Sequence, residues 1–357
     1  MEKNIINFYK KKKILITGAT GFKGSWLCSW LNILGSKVYA VGHSPNKNKK
    51  LFYSLKLDKK TNLKILDVRN KKKLETLIKK VKPEIIFHMA AQPLIYESYI
   101  KPYLTYEVNT LGTLNILEIV KKVNFVKSLI CVTSDKCYEN NFSTRGFKET
   151  DKLGGDDPYS GSKACAEIIV KTYFKSFFSK KKLSKIGIAS ARAGNVIGGG
   201  DFSSNRLIPD TVAAILKNKT IYLRNPGFNR PWQHVLESLN GYLILAQKMY
   251  YEPQKYSGPW NFGISRKSIT SVLNIVNKII QFWGKGKIKY FKKQKFYEQQ
   301  NLQLNIQKSK KFLNWKPKYS VSDSVETTTE WYKKVLAEKY CPIEITNEQI
   351  KNYMQKK

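Results

Sequence analysis

Two rhythms of apolar residues alternate along the chain. Short, mostly apolar stretches recur at residues 12–17, 37–41, 84–87, 129–133 and 186–193, and another ends just before Asp67. Runs this short, bounded by glycine and polar residues, predict buried strands. Between them the apolar positions fall three and four apart, as at Trp26, Leu27, Trp30, Leu31 and Leu34. That spacing predicts an amphipathic helix, which Gly35 ends. Strand and helix patterns alternate to about residue 195, which argues for a parallel sheet covered on both faces. A further amphipathic helix is predicted over residues 268–282.

The 357 residues suffice for a full α/β domain and a smaller part closing over it. No apolar run reaches the ~20 residues that a spanning helix needs. No charged-then-apolar secretion signal opens the chain. Five cysteines at 28, 131, 137, 165 and 341 are odd in number and lack metal spacing. They read as reduced thiols of a cytoplasmic protein without a metal. The formal charge of +38 raises nucleic-acid binding. Only seven of the 64 basic residues are arginine, and lysine is spread evenly, as in a composition bias. A basic surface that steers an anionic small substrate is the better reading, with no nucleic acid and no membrane.

The first strand runs into Gly18-Ala19-Thr20-Gly21-Phe22-Lys23-Gly24 and then the helix. Glycines at a strand-to-helix turn inside a βαβ unit let a pyrophosphate approach the helix N-terminus. The dinucleotide candidates there are Gly18, Thr20, Gly21, Phe22, Lys23 and Gly24. The acid expected at the end of the second strand is missing, since the chain reads Val41-Gly42-His43. That acid would reject a 2′-phosphate, so NAD and NADP both stay open on physical grounds. His43, Asp67 and Val68 are adenosine-side candidates. Asp67 either binds the adenine amino group or caps the helix that starts near Lys71. Ala90, Ala91 and Gln92 form a small-residue turn suited to lying against a cofactor, while His88 reads as a packed strand-end residue. Asn109 is placed mid-helix, where an amide needs a bond to a neighbouring element.

Thr133, Ser134, Asp135 and Lys136 follow the strand at 129–133, where ligands bind in such sheets. Tyr159 and Lys163 lie four residues apart in YSGSK, about one helical turn. A cation there should lower the phenol pKa from its usual ~10, making Tyr159 a base for an alcohol. Further on, Asn195 precedes a glycine run that can approach a sugar diphosphate. Arg206, Arg230 and His234 are candidates for the diphosphate and nucleotide. Trp232 can simply pack an interface.

These motifs resemble the extended short-chain dehydrogenase/reductase family, and within it the CDP-glucose 4,6-dehydratase group. The stretches that carry the resemblance are TGATGFKGSWL, FHMAAQPL, VTSDKCYEN, DPYSGSK, SARAGNVIGGGDF, RLIPD and RNPGFNRPWQHVLESLNGYL. They lie in order from about residue 12 to 335; GAT for GHT and YSGSK for YSNSK are small departures. The resemblance implies a Rossmann-type doubly wound parallel sheet with a smaller, interleaved C-terminal substrate-binding α/β part. Residues 1–194 would be mainly the NAD-binding domain, with 231–255 returning to it. Residues 195–230 and 256–340 would be mainly the substrate part, and 341–357 a tail outside the match.

The resemblance also implies NAD as cofactor and CDP-glucose as substrate, with CDP-4-dehydro-6-deoxy-D-glucose and water as products, in deoxysugar and O-antigen-type polysaccharide synthesis. Tyr159 would take the 4-hydroxyl proton, Lys163 would hold the nicotinamide ribose, and Ser134 would bond the sugar oxygen. Asp135 would protonate the leaving 6-hydroxyl. Lys136 would be a carbon 5 base if neutral, an enolate-stabilising cation, or a structural partner of Asp135. Gln92, Ser134, Asn195, Arg206, Leu207, Ile208, Arg230, His234 and Glu298 match substrate-side positions. Helices near residues 99–123 and 158–178 would pair in a four-helix interface of a homodimer or higher homo-oligomer. The second carries Ile168, Ile169, Tyr173, Phe174, Phe177 and Phe178, more apolar surface than one face needs. A 4-epimerase would share Tyr159 and Lys163 but needs no acid beside Ser134.

Overall fold

The structure is a computed structural model. It describes residues 2–43, 50–139, 145–180, 183–223, 225–265, 268–290 and 303–356. The predicted apolar runs form six strands: β1 (Lys13–Thr17), β2 (Lys37–Gly42), β3 (Asn62–Ile65), β4 (Ile85–His88), β5 (Ser128–Val132) and β6 (Gly187–Ala193). They pair in parallel in the order 3-2-1-4-5-6, and Gly258–Phe262 adds a seventh strand beside β6. In register, Ile14 lies between Val38 on one side and Ile85 on the other. Strands β4 and β6 are buried along their whole length, as a sheet covered on both faces requires. Two apolar layers supply the cover. Trp26, Leu27 and Leu243 belong to one, and Leu74, Ile78 and Ile116 to the other.

The strand order reverses between β1 and β4, so the loops after these strands flank the crevice where such sheets take ligands. Helix Val235–Tyr251 packs on β5, β6 and helix Phe22–Ile33. The strand Gly258–Phe262 falls in the stretch assigned above to the substrate part, yet its pairing with β6 makes it part of the main sheet. Its five residues are too few, and too mixed, to give a sequence signal of their own.

Four further expectations change. The helix expected over 99–123 is broken into Ile95–Ile100, Pro102–Tyr106, a π-turn at Glu107–Leu111 and Gly112–Val120. Pro102 keeps Lys101 out of the helical region and starts a new helix. The tyrosine helix is α-helical over Pro158–Tyr173 and closes as a π-turn at Phe174–Phe178. The stretch after residue 341 is not a loose tail. It forms helix Pro342–Gln355, which packs on helices Phe22–Ile33 and Val321–Tyr332 and buries Ile350 and Tyr353. The helix predicted over 268–282 runs Val272–Trp283, because Ser271 caps it.

Candidate active site

The glycine loop meets the turn after β4 so closely that side chains are excluded. Gly18 has φ of 70°, and a Cβ there would lie 2.7 Å from the Ala90 backbone nitrogen. A Cβ on Gly24 would lie 2.3 Å from the Gly18 carbonyl oxygen. Only glycine tolerates both the backbone angle and the approach. Gly21 is the N-cap of helix Phe22–Ile33 and offers no side-chain cap, so the first helical N–H groups point into the cradle. Thr20 is buried there, with a hydroxyl that has no partner. A helix N-terminus with open donors and backbone-only walls fits a dinucleotide pyrophosphate.

On the adenosine side, β3 extends beside β2 and brings Asp67 to His43, with Nδ1 3.3 Å from Oδ2. Asp67 accepts from the Arg69 backbone and from its guanidinium at 2.7 and 2.9 Å, and Arg69 continues to Glu107 at 2.8 Å. Partial burial pushes Asp67 up, but the Arg69 contacts outweigh it and hold the carboxyl below its usual range. Asp67 does not cap the next helix. Asn70 does, accepting from the Lys73 backbone N–H. Val68 is buried against Gly112. Asn109 bonds the Gln92 backbone at 2.8 Å and Ser162 of the tyrosine helix at 2.9 Å, tying three elements together. The Gln92 side chain bonds Leu94 and Thr105, so it holds the turn rather than facing a ligand freely. His88 is buried at the end of β4 with Nδ1 2.8 Å from the Thr17 hydroxyl, and burial and Lys163 press its pKa down to about 3.

The candidate reacting groups converge after β5. Asp157 caps the tyrosine helix by accepting from the Ser160 backbone and hydroxyl, which fixes Tyr159 at the first turn. Tyr159 is nearly buried, and its phenol is pushed up to about 12 by burial, with the Ser134 hydroxyl and Arg206 pulling the other way. The expected depression by Lys163 is therefore not what the structure shows. The Lys163 ammonium instead donates to the Val132 carbonyl at 3.3 Å. Burial lowers its pKa to about 8, and the nearby Glu167 carboxylate opposes that. An ammonium engaged with a carbonyl is not bonded to the phenol it would have to stabilise as a phenolate.

Ser134 donates to Asp135 Oδ1 at 2.9 Å, while Asp135 Oδ2 is buried with no partner. Burial raises the Asp135 pKa against the pull of Lys136, Ser134, Lys23 and Arg230. Lys136 is half-buried in the short turn Asp135–Cys137, and its backbone N–H donates to Ser134. Asp135 accepts from Ser134, and Lys136 is the foremost charge drawing its pKa down.

Glu167 lies one turn beyond Lys163 and escaped the sequence reading. It accepts from Thr133, Ser190 and Arg192, the last at 2.6 Å, with both charged side chains only 2% exposed. The signal was available, because a carboxyl four residues after a helical lysine shares its face. Lys23, a dinucleotide candidate from the sequence, has its pKa pressed down to about 7 by burial and by Arg206 and Lys163, which come from distant segments.

On the substrate side, Arg206 precedes helix Leu207–Leu216 and pairs with Asp201 at 2.8 Å. Arg230 is buried, stacks over Phe228 and helps pull Asp135 down. Asn195 is half-buried, and its carbonyl accepts from the Gln233 backbone. Leu207 and Ile208 pack into the core. His234 is wholly buried between Trp26 and Tyr319, with a pKa pressed by burial to about 3. Its Nδ1 accepts from the Leu236 backbone N–H at the start of helix Val235–Tyr251, and its Nε2 is buried without a partner. Glu298 lies outside the described residues. Among the described residues no cluster of histidine, cysteine or acid could hold a metal, the five cysteines are free, and no helix is long and apolar enough to cross a membrane.

The family model described as GDP-mannose 4,6 dehydratase matches residues 15–328. The chain is 40% identical to the CDP-glucose 4,6-dehydratase of Salmonella typhimurium over 330 residues, covering 92% of each protein. The structure of dTDP-glucose 4,6-dehydratase from Bacillus anthracis in complex with NAD superposes with a TM-score of 0.76 at 26% identity, covering 93% of this chain and 99% of that one. The UDP-glucose 4-epimerase of Thermotoga maritima gives a TM-score of 0.77 at 20% identity, covering 90% and 99%, which is a likeness of fold alone. With this fold, this glycine cradle and a buried Ser134, Asp135, Tyr159 and Lys163 group, the chain belongs to the nucleotide-sugar 4,6-dehydratase family of extended short-chain dehydrogenase/reductases.

Proposed function

We propose that this protein is a CDP-glucose 4,6-dehydratase that works with NAD held in the glycine cradle. The observation that carries the reading is Asp135: a buried carboxyl with a raised pKa and one unpartnered oxygen, bonded through its other oxygen to Ser134. Elimination of a hydroxyl needs an acid that is still protonated near neutral pH, and epimerisation does not. The identity to a relative named for this activity, over nearly the whole chain, supports the choice of substrate.

NAD, when bound, would accept and return the hydride and bring a positive ring to the site. Gly18, Thr20, Gly21, Phe22, Lys23 and Gly24 would hold its pyrophosphate. His43, Asp67 and Val68 would lie on its adenosine side, and Ala90, Ala91, Asn109 and Thr133 would wall or brace the cleft. Tyr159 takes the proton of the 4-hydroxyl, with Ser134 bonding the same oxygen. The phenol starts near 12, so it needs charge from bound ligand to work at neutral pH. Lys163 holds the ribose. Once carbon 4 is a ketone, the carbon 5 proton is acidic, Asp135 protonates the departing 6-hydroxyl, and water leaves. Lys136 is the nearest candidate for the carbon 5 proton. Arg206, Arg230 and Asn195 suit the diphosphate and nucleotide.

The same reading makes the protein a homodimer. Tyr103 is 78% exposed and Ile100 54%, on the broken helix, and Ile168 is 50% exposed on the tyrosine helix. Phe178, by contrast, is in the core. The free thiols suit the cytoplasm, and the product would feed deoxysugar and lipopolysaccharide O-antigen synthesis. The test is incubation with CDP-, dTDP-, UDP- and GDP-glucose, reading the 4-keto product by its alkaline absorbance. A 4-keto product from CDP-glucose above the others is expected. A galactose-configured product without loss of water would make the protein an epimerase.

A further inference from the structure

Arg192 lies near the end of β6 with its side chain almost wholly buried. One terminal nitrogen donates to Glu167 at 2.6 Å, and the other donates to the Tyr138 hydroxyl at 2.6 Å and the Glu149 carbonyl at 3.3 Å. Glu167 stands on the tyrosine helix, one turn beyond Lys163. Tyr138 directly follows the turn Asp135–Cys137. The guanidinium therefore joins the helix that carries Tyr159 and Lys163 to the turn that carries Ser134, Asp135 and Lys136. The near end of the turn is tied to the same carboxylate, since the Thr133 hydroxyl donates to Glu167. Between these ties the turn has little of its own to hold it. Its internal bonds, from Lys136 and Cys137 to Ser134 and from Tyr138 to Asp135, are 3.3–3.5 Å long, beyond the usual range. Backbone bonds from Gly154 to Cys137 and from Glu139 to Lys152 reach the following loop, not the helix. Tyr138 is fixed by its hydroxyl, which donates to Asn261 Oδ1 at 2.8 Å, and by its ring, stacked 4.8 Å from Phe147. With that proton given to Asn261, the oxygen takes the Arg192 N–H on a lone pair.

We propose that Arg192 and Tyr138 are positioning residues: they fasten the far end of the turn to the tyrosine helix, so that Asp135 meets the same sugar that Tyr159 deprotonates. This rests on the dehydratase reading and deepens it. The two halves of that reaction fall on neighbouring carbons but draw on side chains from two separate elements. Tyr159 and Lys163 serve the oxidation at carbon 4, and Asp135 and Lys136 serve the loss of water from carbons 5 and 6. Both sets must be in place at once, and a displacement of about 1 Å costs about 10²-fold in rate. Cutting the Arg192–Tyr138 link frees the far end of the turn alone. Ser134 stays beside the Thr133 tie, while Asp135 and Lys136, farther from it, can drift. The oxidation half therefore survives the cut, and the water-loss half does not.

The variants are Tyr138→Phe, which removes only the hydroxyl, and Phe147→Leu, which loosens the packing on the same ring but keeps the hydroxyl and Arg192. Two measurements are made on each full-length protein. Hydrogen–deuterium exchange without ligand compares the peptides covering Ser134–Glu139 and Tyr159–Glu167. Single turnover with NAD and CDP-glucose follows reduced-nicotinamide absorbance and 4-keto product together. In Tyr138→Phe the turn peptide should exchange faster while the helix peptide keeps its wild-type rate. Coenzyme reduction should stay within about twofold of wild type while water loss slows about 10- to 100-fold, so that reduced coenzyme accumulates. Phe147→Leu should melt lower yet keep the wild-type ratio of reduced coenzyme to product. Unchanged rates in Tyr138→Phe, equal slowing of both halves, or an equal shift of the ratio in Phe147→Leu overturns the proposal. If Tyr138→Phe does not fold, Arg192→Lys takes its place under the same criteria. That variant keeps a charge beside Glu167 but has one nitrogen where the link needs two. Failure of the dehydratase reading shows differently, as a wild-type protein that forms no 4-keto product from CDP-glucose.

Discussion

Replacing Glu167 by Gln tests how the catalytic helix is braced. Glu167 and Arg192 meet at 2.6 Å with each side chain 2% exposed, and Glu167 also accepts from Thr133 and Ser190. The amide keeps the volume but removes the charge, leaving Arg192 buried with Tyr138 and the Glu149 carbonyl as partners. Breaking a buried pair by neutralising one partner costs about 3–5 kcal/mol. For 357 residues the unfolding entropy near the midpoint is about 0.75 kcal/mol/K, so 4 kcal/mol lowers Tm by about 5 °C. The loss extends to the site, because Glu167 is the main group holding up the Lys163 pKa of about 8. Without it Lys163 should lose its proton at neutral pH and NAD retention should fall. The assay is thermal melting by circular dichroism, paired with NAD content and the pH profile of dehydration. A double variant, Glu167→Met with Arg192→Met, should recover most of the melting temperature but not the pH profile, since packed apolar groups can replace a buried pair. A single variant that melts within 1 °C of wild type, with an unshifted profile, refutes the reasoning.

Three other outcomes are expected. Tyr159→Phe should lower dehydration by about 10²–10⁴-fold, while CDP affinity by calorimetry stays near wild type. Wild-type turnover would remove Tyr159 as the base. Asp135→Asn should still reduce the coenzyme, seen by reduced-nicotinamide absorbance, but stall before water is lost; full dehydration would remove Asp135 as the acid. Glu237→Gln concerns stability. Burial raises the Glu237 pKa to about 7 against its bonds from the Lys318 and Tyr319 backbones and Tyr353. With a folded pKa above the unfolded value of ~4.3, the folded state binds the extra proton, so this group's contribution is full below pH ~4.3 and is lost as pH rises through 7. The amide oxygen can keep the two backbone bonds, and the amide NH2 can donate to the Tyr353 hydroxyl oxygen in place of accepting from it, so the variant should gain about 3 kcal/mol relative to wild type at pH 8 and nothing at pH 4. Equal denaturant midpoints for the two proteins at pH 8 would contradict this.

Much of this molecule was legible because its signals are local. A run such as Ile14–Thr17 can only be a buried strand, and glycines 18, 21 and 24 between it and a helix dictate the cradle whatever surrounds them. Tyr159 and Lys163 share a helix, so their common face follows from spacing. The broken helix at Lys101 was hidden because Pro102 can sit at the start of a new helix as easily as it kinks an old one.

By itself the sequence determined the first six strands of the sheet, the glycine turn that suits a pyrophosphate, and the residue types of the candidate reacting group. Tertiary structure decided their charge states and their exposure. Burial lifted Tyr159 to about 12 where spacing alone argued for a lowered value, enclosed the His234 ring, and pressed the Lys23 amine down to about 7. Periodicity is a property of neighbours along the chain, whereas desolvation and Coulomb terms depend on neighbours brought together from distant segments.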